Sequence, residues 1–131
     1  PALLKQWMDL VLEYGWARGS EGNALKGKTV CNVLTVGGTR QVYARDALHR
    51  HTIREFLAPF EQSANLCKMS CLPPLVVHGT YLLTDAQLRE YGELYRTLLN
   101  RLVRGDVDFD SVQRFEYIND WLARKEQGAK P

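Results

Sequence analysis

A chain of 131 residues with 17 basic and 15 acidic side chains has the length of one domain and a charge too mild to argue for nucleic acid or an anionic membrane as partner. No apolar run approaches the ~20 residues that span a bilayer, and no basic-then-apolar leader is visible, so a cytoplasmic location is expected. Cys31, Cys67 and Cys71 are odd in number, and Cys31 falls in an apolar run. Buried free thiols in a reducing compartment fit that usage better than a disulfide framework.

In chain order, Leu3, Leu4, Trp7, Met8, Val11 and Leu12 predict one wide apolar face on a helix that Pro1 opens and Gly15 ends. A Gly-dense loop over 16–27 follows. Val30, Cys31, Val33, Leu34 and Val36, closed by Gly37-Gly38, read as a short strand buried on both faces. After a polar stretch to His51, Thr52 and Glu55 form a capping box ahead of the helical face Ile53, Phe56, Leu57 and Phe60. Pro59 should kink that helix or end its first segment. Residues 72–79 predict a second buried strand, with Pro73 and Pro74 ahead of its ladder. Thr84 and Gln87 form another capping box, opening a long helix with the face Leu88, Tyr91, Tyr95, Leu98, Leu99 and Leu102 and ending at Gly105. Residues 106–110 read as an acidic linker. Val112, Phe115, Ile118 and Leu122 trace a last, weaker amphipathic helix before a polar tail.

Helices and strands alternating at this spacing predict an α/β layer built on parallel crossovers. Two strands make a poor sheet, however, and the first helix has no evident partner. Six large apolar side chains left exposed would forgo ~9–18 kcal/mol of burial, as much as a whole domain's net stability. The chain is therefore expected to be completed by a preceding segment or by an oligomer.

Buried parallel strands deliver ligands at their carboxyl ends. Thr35-Val36-Gly37-Gly38 is such an end, and two residues without Cβ let a flat ring approach the amides. Tyr43 and His49 lie in the following polar loop, which by itself reads as solvated. Trp16 either walls a planar ligand or fills the space beneath its loop. His51 flanks the Thr52 cap, and His78 reads as a satisfied histidine at a strand end. Cys67, Cys71 and His78 lack the tight ligand grouping of zinc, so no metal is expected.

Four stretches together resemble one family: Pro1 to Asp9 with Gly15-Trp16-Ala17, Gly22 to Lys28, Thr35 to Gly38, and Leu72-Pro73-Pro74 with His78-Gly79. This pattern is similar to the flavodoxin-like NAD(P)H:quinone oxidoreductases, and above all to the Kef-type ancillary proteins of glutathione-regulated potassium-efflux systems. The resemblance implies an α/β, three-layer fold around a parallel sheet. Residues 1–105 would be the later part of that domain, and 106–131 a linker and helical tail. The family's earlier half, with its phosphate loop, has no counterpart here.

The resemblance further implies a flavin, FMN with FAD as the alternative, reduced by NAD(P)H and reoxidised by a quinone. Thr35, Val36, Gly37 and Gly38 would lie along its ring. Val36 replaces the family's usual second Thr, a change that a backbone contact survives. Tyr43 and His49 stand where the family places catalytic donors to the flavin's pyrimidine side, which would stabilise the charge of the reduced ring. Trp16 would wall the substrate pocket, although Arg18 replaces the family's usual aromatic residue nearby. A homodimer is implied. So is an alternative role as a regulatory subunit on a membrane potassium/proton antiporter, peripheral to the inner membrane through that partner. The remaining alternative is an incomplete domain with no activity of its own.

Overall fold

The computed structural model describes residues 2–127. Pro1, expected in the first helical turn, and the tail from 128 lie outside the described residues. The elements run α1 (Ala2–Val11), β1 (Thr29–Thr35), a 3-10 turn (Arg40–Val42), α2 (Ile53–Leu66), β2 (Ser70–Val77), α3 (Asp85–Arg104), α4 (Phe109–Val112) and α5 (Ile118–Gln127). Strands β1 and β2 pair in a two-stranded sheet. The Ser70 N–H donates to Lys28 O at one end and the Val36 N–H to Val77 O at the other, so the strands run parallel, as the alternating pattern predicts.

Pro73 and Pro74 lie inside β2 and are buried, not ahead of its ladder. The reason is a change of register. In a regular strand, groups seven residues apart point to opposite edges, yet the Ser70 N–H and the Val77 carbonyl both face β1. The register therefore shifts somewhere between these two bonds, in the stretch that holds Pro73 and Pro74, and proline is tolerated at a position that owes the ladder no donor.

The chain divides into two compact units, Pro1–Val30 with Leu57–Cys71 and Cys31–Phe56 with Leu72–Pro131. In the first unit no residue of α1 is buried; Leu3 is 79% exposed and Trp7 55%. The helix stops at Val11, short of Gly15, whose N–H instead donates to Arg18 O in the following turn. The unit's buried apolar residues are Ala17, Leu57, Ala64 and Cys67. Lys68 ties down the Gly-dense loop: its ammonium reaches Ser20 O at 3.2 Å, Gly22 O at 2.9 Å and Asn23 Oδ1 at 2.8 Å. Gly22 is required there, since a Cβ would stand 2.2 Å from Arg18 O.

Helix α2 begins with the expected capping box: the Thr52 N–H donates to Glu55 Oε2 at 2.7 Å, and the Glu55 N–H to Thr52 Oγ1 at 3.2 Å. The helix continues through Pro59 to Leu66, so the proline does not end it.

The second unit holds a continuous core of Leu72, Leu75 and Val77 from β2, Leu98 from α3, Val107, Val112 from α4, and Ile118, Trp121 and Leu122 from α5. Helix α3 carries the expected Thr84/Gln87 box and ends on Gly105 at φ 72°. Its packed face is Tyr91, Leu94, Leu98 and Leu102; Leu88, Tyr95 and Leu99 from the predicted stripe are exposed. Segment 106–122 does more than link, because it supplies six members of that core and of the buried set, Tyr117 included.

The outer edge of β2 is closed by a side chain. The Val76 N–H donates to Asn119 Oδ1, and Asn119 Nδ2 donates to Val76 O, both at 3.0 Å. Strand β1 is not buried on both faces as its apolar run suggests; Val33 is 49% exposed. Among the described residues β1 has one neighbouring strand only, so no strand pairs with its other edge.

Candidate functional site

The carboxyl ends of β1 and β2 are stitched together. Val36 O accepts from the Thr80 N–H at 3.2 Å, and Gly38 O accepts from the Gly79 N–H at 2.9 Å, with Gly79 turning at φ 66°. Between these bonds sit Gly37 and Gly38. Among the described residues their N–H groups donate to nothing, so two amides stand open at a strand's carboxyl end. A Cβ on Gly37 would come within 2.5 Å of the Tyr81 ring, and one on Gly38 within 2.7 Å of Val42 Cγ2 and 3.1 Å of the Tyr43 ring. Tyr81 is 89% exposed and its ring lies beside the glycine. Its position in the turn after β2 gave no sequence signal of this contact.

Tyr43 and His49, six residues apart in a polar loop, are brought face to face. Their ring centroids are 4.5 Å apart at 21°. The 3-10 turn folds the loop back, and the His49 N–H donates to Val42 O at 3.1 Å. Phe56, at the start of α2, meets both rings edge-on at 6.4 and 6.5 Å. Thus Thr35–Gly38, Tyr43 and His49 share one neighbourhood in the second unit. Trp16 belongs to the first unit, where it is half exposed and its carbonyl accepts from the Ala24 N–H.

Two further residues belong to the neighbourhood: Arg40, which the sequence does not single out, and His78, which it reads as a satisfied strand-end histidine. The Arg40 guanidinium forks onto both Asp120 oxygens at 2.8 Å, has Glu116 at 3.9 Å and lies 4.6 Å from the Tyr117 ring centroid. This bidentate pair fastens the loop after the glycines to α5. The bond to Asp120 raises the Arg40 pKa further above its already high ordinary value. Tyr117 is pushed up to about 12, by burial first and then by its hydrogen bond to Glu116. An arginine two residues after a Gly-Gly turn is visible in a sequence, but its carboxylate partner 80 positions away is not.

His78 is the second. Its ring lies 6.1 Å from Tyr43 and 5.2 Å, edge-on, from Tyr117. Its Nε2 is buried without a hydrogen-bond partner among the described residues, so it is not the satisfied strand-end histidine expected. Burial, and then the charge of Arg40, lower its pKa; Glu116 and Asp120 oppose the shift. Cys31 is an inert thiol by the same physics: burial pushes it up to about 11, with Sγ 3.5 Å from Pro73 O.

This arrangement has known relatives. Residues 1–99 match the family described as having a flavodoxin-like fold. The glutathione-regulated potassium-efflux system ancillary protein KefG of Shigella flexneri serotype 5b (strain 8401) is 39% identical over 95 residues, 72% of this chain and 52% of KefG. Among solved structures, general stress protein 14 from Treponema denticola, determined in complex with FMN, has a TM-score of 0.66 and 36% identity, covering 79% of this chain and 57% of that one. An NADPH-quinone reductase from P. pentosaceus has a TM-score of 0.62 and 42% identity, covering 71% and 55%. The chain therefore belongs to the flavodoxin-like family, as its four motifs imply, and it spans about half the length of the relatives it matches. Among the described residues no helix is long and apolar enough to cross a membrane.

Proposed function

We propose that the chain is the ring-binding part of a flavin-dependent oxidoreductase that moves a hydride from NAD(P)H to a quinone, with FMN as the cofactor and FAD the alternative. The observation that carries this reading is the pair of open amides at Gly37 and Gly38 with the Tyr43–His49 stack beside them. These residues fit a flat, polar-edged ring: the glycines admit close approach, and their N–H groups would hold its carbonyl or ring-nitrogen atoms. When bound, the flavin supplies the two-electron chemistry. Tyr43 donates a hydrogen bond from its hydroxyl, and His49 fixes the plane of the tyrosine by stacking on it. Arg40, clamped on Asp120, holds the loop that carries both. In this reading residues 1–105 are the later part of the flavodoxin-like domain, 106–131 its helical extension, Trp16 a wall of the substrate pocket, and the working assembly a cytoplasmic homodimer.

Flavin titration tests the reading. FMN should quench on binding, and Gly37→Val should weaken its affinity at least tenfold, about 1.4 kcal/mol or more. Tyr81→Ala, which removes the neighbouring ring without adding a Cβ, should retain it. Unchanged affinity in Gly37→Val counts against the site, and no flavin binding by the unsubstituted chain returns it to the incomplete-domain alternative. Tyr43→Phe should slow flavin reduction by NAD(P)H in stopped flow. Losing one such donor typically costs ~2.7–4 kcal/mol, and the low end or less is expected because His49 stands beside it. Reduction at the unsubstituted rate would make Tyr43 an ordinary loop residue.

A second reading, a regulatory subunit docked on a potassium/proton antiporter at the inner membrane, is supported by the similarity to KefG and by the exposed stripe of α1. Co-purification with the antiporter's cytoplasmic domain, lost in Trp7→Glu while FMN binding persists, would favour it.

A further inference from the structure

We propose that a cleft at the C-terminal helices is a second binding site, for a ligand that joins a phosphate to an aromatic ring, as nucleotides do. The cleft encloses about 580 Å³ between Arg40 and the α4–α5 segment, a volume suited to a small molecule. It belongs entirely to the second unit and does not depend on the flavin reading.

The charges around it are unevenly committed. Of the two carboxylates in its lining, Asp120 takes the Arg40 fork, and Glu116 lies 3.9 Å from the same guanidinium. Arg114 and Arg124 also line the cleft and are exposed, and among the described residues their guanidinium groups make no ion pair or hydrogen bond. The cleft thus offers two guanidinium groups outside any ion pair, one of them over the Phe115 ring, while both of its carboxylates face Arg40. A phosphate, with up to two negative charges and three acceptor oxygens, matches two such forks better than a single carboxylate does.

Its apolar surface is aromatic. Phe115 is half-buried, with the Arg124 guanidinium 5.2 Å from its ring centroid. Trp121 closes the cleft from below, its indole N–H held on Ser111 Oγ at 2.9 Å. Planar guanidinium and aromatic surfaces both stack against a flat ring. Guanidinium and aromatic surfaces therefore line the same cleft, the two chemistries a phosphorylated aromatic ligand needs.

Calorimetric titration of the full chain at low salt with ADP tests this, with adenosine and inorganic pyrophosphate as the two half-ligands. ADP should bind at least tenfold tighter than either half and more weakly as salt rises. The double variant Arg114→Gln, Arg124→Gln should lose tenfold or more while its thermal melt stays in place, since both side chains are exposed. The double lysine variant, which keeps charge but not the fork, should recover part of that loss. No ADP binding by the unsubstituted chain, affinity unchanged in the double glutamine variant, or pyrophosphate binding as tightly as ADP would each overturn the proposal.

Discussion

Helices α1 and α5 are each ten residues long and amphipathic, yet they do opposite things. α1 carries the broader apolar stripe and buries none of it. α5 carries fewer apolar residues and buries Ile118, Trp121 and Leu122 completely or nearly so. The difference is not in the helices but in what meets them: α5 packs where β2 and α3 already present Leu72, Leu75 and Leu98. A periodic stripe states a capacity for burial. Whether it is realised depends on a partner surface, and the width of the stripe does not supply one.

The sharpest way to break this contrast is to truncate the tryptophan in each helix. Trp121→Ala should cost ~3–5 kcal/mol of stability by opening a cavity in a closed core. Trp7→Ala should change it by about 0.5 kcal/mol or less, as a surface substitution. Urea denaturation of the two variants measures both, and equal losses would mean that α1 is covered in the folded protein. Next in size is association. Some of the α1 stripe is partly shielded, Met8 and Leu12 being half-buried, but Leu3, Leu4, Trp7 and Leu10 remain exposed. The purified chain should sediment above its monomer mass, and Leu3→Glu with Trp7→Glu should return it towards monomer. A folded, cooperative monomer at micromolar concentration would show that the stripe needs no cover.

The smallest effect concerns pH and belongs to the well-packed unit. His78 has a lowered pKa in the folded protein, so the unfolded chain binds its proton more readily. Stability should be full above the ordinary histidine value of about 6.5 and fall as pH drops through it towards the folded value. His78→Gln should flatten that part of the profile, while the same scan on Trp7→Ala should keep it. Thermal melts over about pH 5 to 8 measure this, and an unflattened profile in His78→Gln would assign the titration elsewhere.

Much of the scaffold was legible because its signals are local. The Thr52 and Thr84 boxes, the Gly105 stop and the two apolar runs each lie within a few residues of the structure they dictate. The paired motifs from Thr35-Val36-Gly37-Gly38 to His78-Gly79 were enough for the family. What was not legible is long-range. Pro73 and Pro74 inside β2 go with a shift of register against the partner strand, which is not written in their own neighbours. The exposure of β1 depends on what lies along its far edge. Of the candidate site, the glycine turn could be read directly, and Tyr43 and His49 came through the resemblance. Arg40 with Asp120, Tyr81 over Gly37 and the unsatisfied His78 could not be read, because each is a contact between residues whose own neighbours in sequence give no hint of it.

Asn119 has one more consequence. By exchanging a donor and an acceptor with Val76, its side chain does at one position what a third strand would do along a whole edge. An extended peptide arriving on that side would have to evict it before pairing with Val76, leaving a buried amide or carbonyl unpaired on the way. The far edge of β1 has no such stopper among the described residues. At Val76 the β2 edge is therefore shut against the edge-to-edge stacking that open strands invite, whereas a strand beside β1 would displace no such side chain.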